Sequence, residues 1–366
     1  MIDLAPPSKG RLEGYRLAWR KIGPPIFLGL LPVVVVVWAI VLMIQIGNVA
    51  FDFHHELYPE AKLVLHGSNP YPAPDADLSS GTNTIWPIAA LLPALPLTPL
   101  RPGAADGVMT AFVIVAFVMA LLVLGVRDWR VVGLTFLWPP VIAAFQTANL
   151  TLPLILLAAL VWRHRERRWI AGGLLGLALA AKFFLWPLVP FLFAIRRRAA
   201  AALACLVALA SLGLMLPFIS LGDYFQLIRN LSNTFDGKSY TVYGFLTDAG
   251  VNSSLARVAM YAVGLSVLTV AVRWRSFSLA TGAALALSPI VWLHYFAFLA
   301  VPLAIASPTL AWPWFLPLLM IVAPGNENGR PWQSALVLLV TAVTIGWCAR
   351  QEQEGARVIA LRPLTS

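Results

Sequence analysis

Apolar runs of roughly fifteen to twenty-two residues recur from end to end of this chain, separated by short arginine clusters, and that alternation leaves few folds open. Of the 366 residues, 60% are hydrophobic and only 11% are charged. Soluble domains carry about a quarter charged residues. A core able to hide this much apolar surface is not available at this length. The pattern therefore predicts an all-α polytopic membrane protein and excludes a soluble helical one.

The net charge of +10 raises the question of nucleic acid, and its placement answers it. Basic residues gather between apolar runs: Arg11 to Lys21, Arg127 and Arg130, Arg163 to Arg168, Arg196 to Arg198, Arg273 and Arg275, then the tail. Cytoplasmic loops look like this under the positive-inside rule. No aromatic-interleaved basic face accompanies them, so no nucleic-acid partner is expected. Membrane lipid is the expected partner of this charge. Cys205 and Cys348 both fall inside apolar runs without CxxC spacing, which argues against disulfides and zinc. The N-terminal apolar run is too long for a signal peptide and lacks a cleavage site, so it reads as a retained first helix.

Taken in order, residues 1–24 form a basic cytoplasmic N-terminus, and Pro25 to Gly47 crosses outward. Residues 48–106 make a large first outer loop, broken at Gly67, Pro70, Pro72 and Pro74. Within it, Trp86 to Leu100 holds four prolines and reads as a re-entrant or interfacial helix, with a full span as the alternative. Gly107 to Val126 returns inward. Two short hairpins then follow, Val131 to Trp162 turning at Gln146–Asn149, and Trp169 to Ile195 turning at Lys182. Their arms run about 13 to 15 residues, or roughly 20 Å, so the tips should stop short of the outer surface and floor a recess. Ala199 to Ser220 spans outward to a second outer loop at 221–250. Four further spans and Gln333 to Cys348 lead to a cytoplasmic tail at 350–366. The sum is about twelve transmembrane helices with both ends inside and one domain over 1–366. The outer segments hold more Asp and Glu than Lys and Arg, as that orientation requires.

The polar residues cluster at the mouth of the first span. Asp52, His54, His55, Glu56, Glu60, Lys62 and His66 crowd into Phe51 to Tyr71, in a chain otherwise poor in charge. An ionisable group at membrane depth is a functional candidate, because burying it is costly. Asp52 could take a proton from a bound hydroxyl, or could merely cap a helix. His54 and His55 are adjacent, point about 100° apart on a helix, and would rarely share a task. With Glu56 they lack the spacing of a zinc site, and no metal is expected. Lys182, set between Ala-Ala and Phe-Phe, suits a phosphate near the membrane surface; the alternative is a snorkelling lysine. His294, flanked by Trp292 and Tyr295, is either a contact to phosphate or sugar or a satisfied structural histidine. No Gly-rich nucleotide loop is present.

Several segments in this order resemble glycosyltransferase family 87, integral-membrane enzymes of the GT-C type. They are Phe51-Asp52-Phe53, Ala61 to Tyr71 ending in Gly67-Ser-Asn-Pro-Tyr71, Trp86-Pro87, Gln146-Thr-Ala-Asn149, Ala171-Gly-Gly173 leading to Lys182, and Ser288-Pro-Ile-Val-Trp292-Leu-His294. Three positions depart from the usual pattern. Phe145 stands where Gly precedes the Gln, Ile85-Trp86-Pro87 replaces Tyr-Pro-Pro, and Lys182-Phe183 replaces Lys-Pro.

The family includes polyprenol-phosphate-mannose-dependent mannosyltransferases of phosphatidylinositol-mannoside synthesis. The resemblance implies a GT-C bundle in the plasma membrane with its site facing outside. It implies a hexosyltransferase that moves mannose, with inversion, from a polyprenyl-phosphate donor to a glycolipid or glycan hydroxyl. Asp52 would be the general base, Lys182 and His294 would hold the leaving phosphate, and Gln146 and Asn149 would orient sugar or phosphate. His54, His55, Glu56, Tyr71 and Trp292 are further candidates. No cofactor and a monomeric state are expected. A transporter or flippase of a lipid-linked sugar is the alternative, with Asp52 and Lys182 as pathway charges.

Overall fold

A computed structural model describes residues 22–80, 85–325 and 327–361, with side chains through 355. The expected cytoplasmic N-terminal segment up to Lys21 and the tail from residue 362 lie outside the described residues. Among those described, every regular element is helical.

Four helices are long and apolar enough to cross a membrane: α1 (Ile22–Gln45), α3 (Pro102–Val123), α12 (Ser253–Trp274) and the first part of α15, Pro331–Gly355. A fifth crossing is possible where α5 (Pro139–Thr147) and α6 (Thr151–Arg163) meet at a bend of 114°. α1 shows why the solvent must be lipid. Only Pro32, Ala39 and Met43 of its stretch Leu31–Gln45 are buried, while Val33, Val34, Val37 and Trp38 stand exposed. So continuous an apolar face is ruinous in water and ordinary in hydrocarbon.

The remaining elements are shorter. They are α2 (Tyr58–Leu65), α4 (Trp129–Thr135), α7 (Arg168–Ala181), α8 (Leu188–Ala194), α9 (Arg198–Leu212), α10 (Leu221–Phe235), α11 (Val242–Asp248), α13 (Phe277–Leu287) and α14 (Ala300–Ala306). The arm read as Val131 to Phe145 breaks ahead of Pro139-Pro140, because proline removes a helical hydrogen bond and crowds the preceding turn. The expected interfacial helix at Trp86 to Leu100 is not an α-helix. Its four prolines leave two short 3-10 turns, Ile88–Leu91 and Leu95–Leu97, and the first is buried within the bundle. The second outer loop is also more regular than expected. Most of it is helix α10, capped by Ser220, and α11, capped by Thr241.

Close packing is clearest where α7 meets α9. A Cβ built on Gly172 would fall 2.7 Å from the Ala200 carbonyl oxygen, and one on Gly176 would fall 2.5 Å from the Val207 Cβ. Small residues four apart let the two backbones approach, which drives helix association where lipid supplies no hydrophobic push. α7 ends at Lys182, so this seam fixes the depth of that lysine. Gly176→Ala should lower unfolding stability in detergent by about 1–3 kcal/mol through overpacking. Gly173→Ala, whose Cβ meets nothing within 4 Å, should be neutral or stabilising by up to about 1 kcal/mol. Equal effects at the two positions would show that the seam does not set stability.

Candidate active site

Asp52 follows α1 after a tight turn in which Gly47 and Ala50 adopt left-handed backbone angles. A π-helical turn, Phe53–Leu57, then leads into α2. Such widened turns recur at functional sites. The Asp52 side chain makes no capping bond to this helix. It reaches across the bundle instead.

Its partner is Asn149. The Asn149 amide nitrogen donates to Asp52 Oδ2 at 2.9 Å and to His294 Nε2 at 2.9 Å. The Asn149 carbonyl oxygen accepts from the Thr151 backbone N–H at 2.8 Å. All three bonds agree on one amide orientation, since a flipped amide would set oxygen against carboxylate and nitrogen against N–H. Nε2 of His294 must then be the acceptor, which puts the imidazole proton on Nδ1. Asn149 and His294 are buried, at 1% and 5% exposure. Backbone geometry delivers the amide: Ala148, with φ +46°, ends α5 in the left-handed region. That conformation costs an alanine roughly 1–2 kcal/mol, and it turns the chain so sharply that Asn149 points at Asp52 rather than away.

Lys182 sits at the C-terminus of α7 with its Nζ 4.6 Å from the Trp86 ring centroid and 4.2 Å from that of Tyr295. Two aromatic faces hold the ammonium by cation–π attraction. It forms no ion pair among the described residues. The Trp86 indole in turn donates to Glu56 Oε2. Its backbone is pinned nearby, where the hydroxyl of Tyr71 donates to the Trp86 carbonyl at 3.1 Å and that of Tyr224 to the Ile85 carbonyl at 3.1 Å. Helix α10 of the second loop thus helps fix an aromatic wall of the first.

Asp52, Glu56 and Glu60 stand one turn apart, and their surroundings separate them. Burial pushes the Asp52 carboxyl up to about 6, although Asn149 and Lys182 both hold it down. Burial and then the Asp52 charge raise Glu56 well above the usual range. Burial and then the Glu56 charge push Glu60 up to about 10. The Asp52 carboxyl is thus raised less than that of Glu60 at the far end of the row. Among the described residues no three His, Cys, Asp or Glu side chains gather as a metal site would.

The other sequence candidates are placed differently. His54 Nδ1 lies 2.8 Å from Asp106 Oδ2, an ion pair if the ring is protonated. The exposed His55 packs its ring on Phe51 at 4.7 Å. Trp292 packs on Phe235 at 5.7 Å. Gln146 is half-buried in the last turn of α5. Tyr71 is buried, with its hydroxyl on the Trp86 carbonyl. Trp86 and Tyr295 had no assigned role, because nothing local to either marks it as a partner of Lys182. Only the flanking aromatics of His294 and the Trp86-Pro87 pair drew attention to them.

A family model, Glycosyltransferase family 87, matches residues 85–302, more than half of the chain. The chain belongs to glycosyltransferase family 87. A curated relative is 29% identical over 256 residues. It is the polyprenol-phosphate-mannose-dependent alpha-(1-2)-phosphatidylinositol pentamannoside mannosyltransferase of Mycobacterium tuberculosis, and the match covers 57% of each chain. The chain thus spans little more than half the length of that relative. No solved structure matches. In this family 87 protein the matched span holds Trp86, Gln146, Asn149, Lys182, Trp292 and His294, while Asp52 and Glu56 precede it.

The arrangement makes a pH prediction with a definite sign. If Asp52, with its pKa of about 6, serves as a base, it works when ionised, and activity should fall as pH drops through about 6. Lys182 holds that value down, so Lys182→Gln should move the acidic limb of kcat/KM to higher pH. A limb that stays in place would separate Lys182 from Asp52 electrostatically.

Proposed function

We propose that this family 87 protein transfers mannose from a polyprenyl-phosphate donor to a hydroxyl of a glycolipid or glycan, at the outer face of the plasma membrane. The observation that carries this reading is the Asp52 carboxylate, held by the Asn149 amide at the mouth of α1 and under the field of Lys182. The transfer is a single inverting displacement. Asp52 accepts the proton of the acceptor hydroxyl as that oxygen bonds to the anomeric carbon. The bond from that carbon to the phosphate oxygen breaks, and the lipid leaves as its phosphate.

A departing phosphate needs a positive partner more than a general acid. Lys182 supplies that charge, with no carboxylate paired to it. Asn149 and His294 are positioning residues: the ring orients the amide, and the amide orients the carboxylate. Gln146, on α5 one turn before Asn149, would orient the sugar or phosphate. Outward placement follows from the arginine-rich helix ends opposite Asp52, which the positive-inside rule keeps in the cytoplasm. In the same reading the short, proline-broken helices complete a GT-C bundle of about twelve crossings, and the enzyme acts as a monomer.

Asp52→Asn is the central test. It keeps size and hydrogen bonding but cannot take the proton, and general base catalysis supplies about 10² to 10⁴ in rate. Turnover should fall at least about a hundredfold, with donor binding and detergent stability near wild type. An active but destabilised Asp52→Asn protein would remove Asp52 from the chemistry. Lys182→Ala should raise the donor KM and lower turnover, and Lys182→Arg should recover part of both. The assay also separates a transferase from a flippase, since only the former makes a new glycosidic bond in detergent, where no second compartment exists.

A further inference from the structure

The helices that carry the site at one end close around a second feature at the other. α3 begins near Asp106, which pairs with His54, and α6 begins beside Asn149. Their far ends form a cavity of about 540 Å³, lined by Met119, Leu122, Arg127, Trp162, Arg163 and Arg165 among others. Leu124 lies eighteen residues beyond Asp106 in the sequence, about 27 Å at 1.5 Å per residue. The cavity is therefore separate from the catalytic recess.

Its walls are of two kinds. One is apolar and partly open outward, with Met119 45% exposed on the lipid-facing side of α3. The other carries three guanidinium groups. Gly125, at φ +91°, ends α3 and turns the chain so that Arg127 joins this wall. Arg165 is held most firmly: it donates to the Trp162 carbonyl at 2.8 Å, and its guanidinium lies 3.9 Å from the Trp162 ring centroid.

Two cations nearby have a carboxylate partner, and the three on this wall do not. Arg130 pairs with Asp128, and Arg197 with Glu166. Arg127, Arg163 and Arg165 form no ion pair among the described residues. Glu352 is the acid near enough to offset the charge on Arg165. Its two oxygens are already taken by Ser276 Oγ at 2.5 Å and by the Ser278 N–H and Oγ at 3.1 and 2.7 Å. Burial pushes the Arg165 guanidinium down from its ordinary range, Glu352 offsets part of this, and Arg163 and Arg197 add to it. An anion seated here would relieve that cost.

We propose that this cavity binds the phosphate of an anionic phospholipid in the leaflet opposite the active site, with an acyl chain lying along Met119 and Leu122. Guanidinium forks match phosphate oxygens in pairs, which ammonium groups do not. Basic pockets between helices at the cytoplasmic surface are suited to lipid headgroups. The apolar wall distinguishes a lipid from a free anion, because inorganic phosphate would leave it uncovered. The lipid contact rests on the arginines and the apolar wall alone, and its leaflet rests on the orientation proposed above.

The test uses the full-length chain, delipidated in detergent and offered phosphatidylglycerol, phosphatidylcholine or inorganic phosphate. Native mass spectrometry should show phosphatidylglycerol retained at least about tenfold over phosphatidylcholine, with a higher melting temperature when it is bound. The combined variant Arg127→Gln, Arg163→Gln and Arg165→Gln should lose that preference, and Arg275→Gln, a basic change outside the cavity, should keep it. If the triple variant does not fold, Arg163→Gln alone, at an exposed position, should weaken the preference severalfold. Equal retention of the two lipids by the wild type would overturn the proposal. So would an unchanged preference in the arginine variants, or phosphate alone displacing the lipid at millimolar concentration.

Discussion

The two hydrogen bonds donated by the Asn149 amide hold this site together. One fixes a carboxylate at the end of the first membrane helix, and the other fixes a histidine on a segment nearly 150 residues further along. Neither partner is attached rigidly by its own element, since Asp52 sits at the start of a π-helical turn and His294 in a 3-10 turn. In a low-dielectric surround an unpaired amide would be costly. The bundle therefore closes only in arrangements that satisfy it, and the left-handed Ala148 is the local strain this requires.

The same low dielectric sorts the acids. Burial raises all three carboxyl groups, and the donors and the cation beside them offset it unequally. Asp52 has Asn149 and Lys182, Glu56 has the Trp86 indole and Lys182, and Glu60 has neither donor nor cation. Lys182 in turn lies between two aromatic faces, which attract a cation without neutralising it. Among the described residues its ammonium forms no ion pair, as the proposed contact to a phosphate requires. The cavity at the opposite end repeats this logic with arginines, where Trp162 plays the part of the aromatic face.

Loops do more here than connect. Tyr71 and Tyr224, from two separate outer segments, pin the backbone at Ile85 and Trp86, and so place the indole against both Lys182 and Glu56. Asn230 adds a further tie by donating to the Pro74 carbonyl at 2.8 Å. The recess is thus walled by chain that carries few apolar spans and many prolines. Non-helical backbone at such depth is tolerated because protein, not lipid, surrounds it.

Much of this was already legible in the residues. Apolar run length and arginine placement are enough to specify a helical membrane protein, because hydrocarbon admits no unsatisfied backbone. The cluster at Asp52 and the lone Lys182 stood out because charge is expensive there, and the ordered segments from Phe51 to His294 pointed to the family that the comparison shows. Helix boundaries were less legible. Pro139-Pro140 and the prolines after Trp86 broke segments that hydropathy alone joins, since apolar character says nothing about a missing N–H. The pairing of partners was not in the sequence at all. Asn149 with Asp52, Lys182 with Trp86, and Arg165 with Trp162 rather than a carboxylate depend on which helix faces lie together. Only tertiary packing decides that, because each residue alone is equally compatible with a structural role.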